Sequence, residues 1–214
     1  MLQFHNVDQN TDGWFDLRAG KLTSSNLSKV MSNYGKAFGE PAKKLAVNIA
    51  LEQVTGKPIA SEYSNDHMTR GHEQEPIARM LYENTTFCDV TNGGFFCGDF
   101  FGCSPDGMVS EGVIEIKSVI PHVHLANISR GGVDPAYKWQ CYANLYYTGS
   151  EWLDFISYCA DFPPDKQLYI CRIERDSITE EIEQVQARIE LFKEIVDSCK
   201  ESILTGDYFV KVAA

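Results

Sequence analysis

Residues 102–119 read GCSPDGMVSEGVIEIKSV, and three of them have the types and spacing to do chemistry. Asp106 follows a proline, and Glu115 and Lys117 sit two positions apart inside an otherwise apolar run. Side chains alternate along a strand, so Glu115 and Lys117 share one face while Ile114, Ile116 and Ser118 share the other. The Ser110-Glu111-Gly112 segment predicts a tight turn and an antiparallel return that brings Asp106 close to Glu115. Two carboxylates converging on one point repel each other unless a cation lies between them. Hard oxygen ligands select Mg²⁺ or Mn²⁺ over zinc, and the carbonyl of Ile116 is placed to add a further oxygen. The Lys117 ammonium beside such an ion can orient or help deprotonate a water that attacks a phosphorus centre. A surface hairpin with cross-strand ion pairs would carry the same charges, but would not need the apolar strand around them.

The elements that must hold these residues are read from periodicity. Helical spacing predicts helices over 23–34, 41–55, 66–85 (bent near Gly71 or Pro76), 135–148 and 177–205. The last begins with Ser177 or Thr179 as cap and ends at Gly206. Strand patterns cover 87–91, 95–109, 113–119, 152–161 and 167–175. This order predicts an α/β chain, one domain over residues 1–214, with a central mixed β-sheet flanked by helices. Where the first helix begins, Arg18 precedes Thr23, Ser24 and Ser25. Free N–H groups, hydroxyls and a guanidinium together make a phosphate pocket, although ordinary capping needs only one of those hydroxyls.

Composition sets limits on partners. The 214 residues carry a formal net charge of −11, whereas a protein that grips DNA over a broad surface is usually basic. A nucleic-acid contact here must be focused: a positive cleft, a divalent metal, or a channel formed by several subunits. The seven cysteines include no CxxC pair. That pattern predicts reduced thiols in a cytoplasmic protein and gives no support for zinc or an iron–sulfur cluster. No apolar run approaches the roughly 20 residues that span a bilayer, and the first residues lack a secretory-signal pattern, so no membrane partner is expected.

Five segments, in order, resemble the phage lambda-type exonucleases, or YqaJ-like viral recombinases, of the PD-(D/E)xK nuclease superfamily. They are WFDLRAGKLTSS, RGHEQEPIAR, CSPDG, EIKS and KWQCYANLYYTG. The resemblance implies the restriction-endonuclease-like core, with Asp106, Glu115 and the Ile116 carbonyl on one or two Mg²⁺ or Mn²⁺ ions and Lys117 beside the attacking water. It implies that Glu75 lends another carboxylate and that Gln140 hydrogen-bonds near that water or Lys117. It assigns Arg18, Ser25 and Ser104 to the 5′-phosphate of the strand being digested. Met68 stands where a relative carries an apolar wedge, and equally suits a core position. Some relatives carry a further Arg soon after the ExK lysine; here the segment reads VIPHVHLANISR, leaving His122, His124 or Arg130 as substitutes. The activity implied is a Mg²⁺-dependent 5′-to-3′ exonuclease that degrades one strand of linear double-stranded DNA and leaves 3′ single-stranded overhangs. A homotrimeric ring, a single-strand annealing protein as partner, and phage or prophage recombination in a bacterial cytoplasm complete the expectation. The rivals are an endonuclease or resolvase on the same core, or a non-catalytic DNA-binding module.

Overall fold

The computed structural model describes residues 2–59 and 66–206, and side chains of the fourth helix from residue 70 onward. The Met68 side chain lies outside the described residues. Among the described residues, the central sheet has the order β5-β6-β7-β8: β5 (Gly107–Val109), β6 (Gly112–Ser118), β7 (Trp152–Tyr158) and β8 (Leu168–Glu174). β6 and β7 run parallel, and the outer pairs run antiparallel. The expected mixed sheet is therefore present, and a second one joins it. This smaller sheet orders β1 (Gln3–His5), β3 (Phe95–Cys97), β4 (Phe101–Cys103) and β2 (Leu22–Thr23) as β1-β3-β4-β2.

The helices are α1 (Asp12–Arg18), α2 (Leu27–Met31), α3 (Glu40–Thr55), α4 (Asp66–Thr86), α5 (Pro121–Arg130), α6 (Lys138–Thr148) and α7 (Thr179–Thr205). On one face of the central sheet, Val113, Leu153, Phe155 and Ile173 pack on Cys141 and Leu145 of α6 and Ile182 of α7. On the other, Ile114, Ile116 and Ile156 pack on Ala78 and Tyr82 of α4. A third cluster joins α2, α3 and α7 to Leu22 and Phe101 of the small sheet. Each such buried aliphatic or aromatic side chain contributes about 1.5–3 kcal/mol. Glu115 sits in the Val113 row, where burial of a carboxylate instead costs energy.

Several sequence expectations shift. The 95–109 run divides among three strands in two sheets, because Gly98-Asp99 and Ser104-Pro105 interrupt the ladder. Residues 87–91 form no strand: Phe87 takes a left-handed φ of 56° and only Thr91 bridges to Met108. The first expected helix contracts to a 3₁₀ turn, Ser24–Asn26, followed by the five-residue α2, and neither has a side-chain cap. α5 replaces what reads as an irregular segment, with Pro121 in its first turn and Gly131 in the left-handed conformation after its end. Ser177 and Thr179 do not cap α7; Ile178 occupies that position, and the two hydroxyls donate to the carbonyls of Glu174 and Asp176.

Candidate active site

The β5–β6 hairpin sets the centre of the site. Gly107 pairs with Ile114, and one residue earlier the Asp106 N–H donates to the Ile114 carbonyl at 3.0 Å, placing Asp106 beside Glu115. Asp106 Oδ2 accepts from the Ile116 N–H at 2.7 Å, which fixes the carboxylate against the strand. A Cβ at Gly93 would collide with the Pro105 carbonyl, so only glycine lets the 92–94 turn close on this segment. From α4, Arg79 donates to the Asp106 carbonyl and lies 3.6 Å from Glu75.

Glu115 is fully buried. Its Oε1 accepts from Lys117 Nζ at 2.6 Å and from Gln140 Nε2 at 2.5 Å. Its Oε2 accepts from Asn144 Nδ2 at 2.7 Å. Gln140 and Asn144 are one helical turn apart on α6, so both amides face the carboxylate. Lys117 Nζ also stands 5.0 Å from the centre of the Tyr137 ring.

Electrostatics mark these acids. Burial, and then the Asp106 carboxylate, push Glu115 up to about 8, with Lys117 opposing. The same two causes push Glu75 up to about 7, opposed by Arg79 and Lys117. Burial acts to lower Lys117, but Glu115 and Asp106 outweigh it and hold the ammonium charged well above its ordinary range.

These groups open into one cleft of about 650 Å³. Asp106, Ile116, Lys117, Glu75 and Gln140 line it, together with Arg18, Ser24, Ser25 and Ser104. Glu115 lies beneath the lining and meets it through Lys117 and Gln140. The Arg18 guanidinium stacks 4.0 Å from the Trp14 ring centre. Burial lowers Arg18 to about 10, partly offset by Glu52. Trp14 Nε1 donates to Ser104 Oγ at 3.2 Å, and that hydroxyl donates to the Gly94 carbonyl at 2.5 Å. Ser25 shares a 3.1 Å bond with Thr23. The residues singled out in sequence thus converge, although Gln140 meets Glu115 rather than Lys117.

Two of the candidate substitutes for a second Arg are engaged elsewhere. His124 is buried between Ser157 Oγ and the Lys166 carbonyl, and Arg130 donates to Asn127. The cleft instead carries Arg70 of α4, with Nη2 3.5 Å from the Ser118 carbonyl. The sequence places Trp14, Arg70, Arg79 and Asn144 within the family-like segments without a role of their own, and gives none to Tyr137. For Asn144 the available signal was its place four residues after Gln140.

The donors suit a hard divalent cation in charge and type: two neighbouring carboxylates, one of which raises the proton affinity of the buried Glu115, beside a backbone carbonyl. Among the described residues no group of three or more His, Cys, Asp or Glu stands close enough to hold an ion. The fit is therefore to a pair of acids, with Glu75 at the margin.

Comparisons with known proteins bear on the family and the fold. The model of the YqaJ-like viral recombinase domain matches residues 13–151. An alkaline exonuclease, LHK-Exo, from Laribacter hongkongensis is similar at 32% identity and a TM-score of 0.75, over 91% of this chain and 98% of that one. The structure of LHK-Exo in complex with dAMP is similar at 34% identity and a TM-score of 0.76, over the same shares. A phage-related exonuclease from Haemophilus somnus shares the fold, at 14% identity and a TM-score of 0.65, over 86% and 96%. No curated protein matches. With a family model spanning more than half its length, this chain belongs to the YqaJ-like viral recombinase family.

Proposed function

We propose that this protein is a Mg²⁺- or Mn²⁺-dependent exonuclease that digests one strand of linear double-stranded DNA from its 5′ end. One observation carries the reading. Asp106 and Glu115 meet at the β5–β6 ladder beside Lys117, at a cleft that Arg18, Ser25 and Ser104 also line. Asp106, Glu115 and the Ile116 carbonyl would hold the cation, with Glu75 serving a second ion or acting through water. When bound, such an ion neutralises charge on a phosphodiester and lowers the pKa of its water.

The chain's own residues supply the rest. Lys117 Nζ, set beside Glu115 and the Tyr137 face, orients the attacking water. Gln140, on α6, donates to Glu115 Oε1 until a cation takes that oxygen. Arg18, Ser25 and Ser104 bind the terminal 5′-phosphate, so the scissile bond is measured from the strand end. Trp14 holds the Arg18 guanidinium flat and orders the Ser104 hydroxyl. A relative solved in complex with dAMP, a nucleoside monophosphate, is in keeping with release of mononucleotides. Digestion of the 5′-ended strand would leave a 3′ single-stranded overhang. A homotrimeric ring reconciles the −11 charge with DNA binding, since a few basic residues can line a bore inside an acidic exterior. A single-strand annealing protein acting on the tail, in phage or prophage recombination within the bacterial cytoplasm, completes the proposal.

The test is digestion of 5′-phosphorylated linear duplex, its 5′-hydroxyl counterpart and a covalently closed circle, each with Mg²⁺ or with chelator. The expected result is mononucleotide release from the linear phosphorylated duplex alone, abolished by chelator. Equal cutting of the circle would replace the reading with an endonuclease or resolvase. Tight end binding without cleavage in either metal would leave a non-catalytic module. Light scattering with and without DNA tests the trimer.

A further inference from the structure

Asn144 has no reason to be where it is except Glu115. Its side chain is fully buried, and its α6 neighbours Cys141, Ala143 and Leu145 are equally buried and apolar. Nδ2 donates to Glu115 Oε2 at 2.7 Å, while Oδ1 is buried with no hydrogen-bond partner. The ionised carboxylate that would bind a cation only accepts, so for that state the amide presents its N–H₂ to Glu115 and strands its oxygen in the core. An orphaned buried acceptor costs about 1–3 kcal/mol, which an apolar residue of the same shape would avoid. The two Glu115 oxygens also differ in kind. Oε1 meets Lys117 and Gln140, both of which line the cleft, whereas Oε2 meets only Asn144, which does not.

We propose that Asn144 is a positioning residue: it clamps the inner oxygen of Glu115 so that a single oxygen, Oε1, faces the cleft as a one-point ligand. Lys117 and Gln140 can leave Oε1 when a cation takes their place, since both line the cleft. Asn144 stays bonded throughout, and the carboxylate cannot rotate to offer both oxygens or to withdraw. This inference rests on the metal reading given above and goes beyond it, to the residue that fixes how Glu115 serves the ion.

The experiment measures Mn²⁺ binding to the full chain without DNA, by electron paramagnetic resonance, for the wild type, Asn144→Leu and Asn144→Ala. Both substitutions remove the donor, and the leucine keeps the shape. Loss of a hydrogen bond that orients a metal ligand typically weakens metal affinity about 10–100-fold. That weakening is expected in both variants, with turnover on linear duplex recovering towards wild type at saturating Mn²⁺. Such a shift in apparent metal affinity without loss of limiting rate is what positioning predicts and general loosening does not. Wild-type Mn²⁺ affinity in either folded variant overturns the proposal, as does a lower limiting rate at unchanged affinity. If neither variant unfolds cooperatively, Asn144 is a folding residue and the proposal also falls. A wild type that binds no Mn²⁺ is a different failure, because it removes the metal reading itself.

Discussion

Glu115 and Asp154 are buried carboxylates on adjacent strands, and they face opposite sides of one sheet. Asp154 pairs in register with Ile114, so it points toward α4 while Glu115 points toward α6. They are 0% and 2% exposed. Asp154 is sealed by a two-point ion pair: Arg172 Nε and Nη2 each donate at 2.8 Å, and Tyr82 Oη donates at 2.8 Å. Arg172 in turn lies 3.7 Å over the Trp152 ring. Glu115 accepts as many bonds, and each acid takes two of them on one oxygen, but the two donors on Glu115 Oε1 line the cleft and a second carboxylate stands beside it. The contrast separates two uses of a buried charge. Asp154 is matched by a fork of complementary shape and fastens α4 to the sheet. Glu115 is matched by groups that can release it, and its raised proton affinity marks an unmet demand for positive charge.

Lys117→Ala should break the contrast most sharply. A fixed charged donor aimed at the attacking water and at developing charge contributes about 10²–10³-fold. Turnover on 5′-phosphorylated duplex should fall by that order, while DNA-end binding measured with Ca²⁺ persists. Loss of under tenfold would show that Lys117 only offsets the charge of Glu115.

Arg172→Ala should do the reverse. It leaves Asp154 buried without its ion pair, and such a break costs about 3–5 kcal/mol. Urea unfolding should register that loss, and the protein that remains folded should cut at a rate within a few-fold of wild type. A collapse of turnover with stability intact would mean that the Asp154 network serves the reaction directly.

Divalent cation should distinguish the two acids again, with a smaller effect. A ligand at a hundredfold its Kd stabilises the folded state by about 2.7 kcal/mol. Mn²⁺ should raise the melting temperature of wild type and of Arg172→Ala alike, and leave that of Asp106→Ala unmoved. An equal rise in Asp106→Ala would put the cation elsewhere.

Much of this contrast was legible in sequence because it is local. Asp106, Glu115 and Lys117 lie within one hairpin, where period-two alternation and a turn fix who faces whom. The setting of Arg18, Ser25 and Ser104 is not local. Trp14 meets Ser104, and a two-residue strand brings Thr23 beside Gly102. Spacing alone carries no signal for such pairings, and it was family resemblance that set Ser104 with Arg18 and Ser25. The small sheet stayed hidden for the same reason, since strands of two or three residues give no readable period. α5 was missed although it has proline at its start and glycine at its end, because its buried residues His124 and Asn127 are polar. Asp154 and Asn144 were overlooked as polar interruptions in apolar segments, which is the pattern that had flagged Glu115.

Tyr82→Phe should have the smallest effect. Tyr82 sits two turns along α4 from Glu75 and is fully buried. Burial first, and then its bond to Asp154, hold the phenol well above its ordinary value, so it acts as a donor throughout the working range. Phenylalanine keeps the ring in the cluster formed with Ile114 and Ile156 and removes only one of three bonds to a carboxylate that Arg172 still holds. A hydrogen bond to a charged group contributes about 1.5–3 kcal/mol, and the retained fork favours the lower end. If Tyr82 merely braces α4, Tyr82→Phe should lower stability by roughly that amount and leave the apparent Mn²⁺ affinity unchanged. If the bond also sets where Glu75 stands, metal affinity will fall with stability, and the two faces of the sheet must then be treated as one coupled unit.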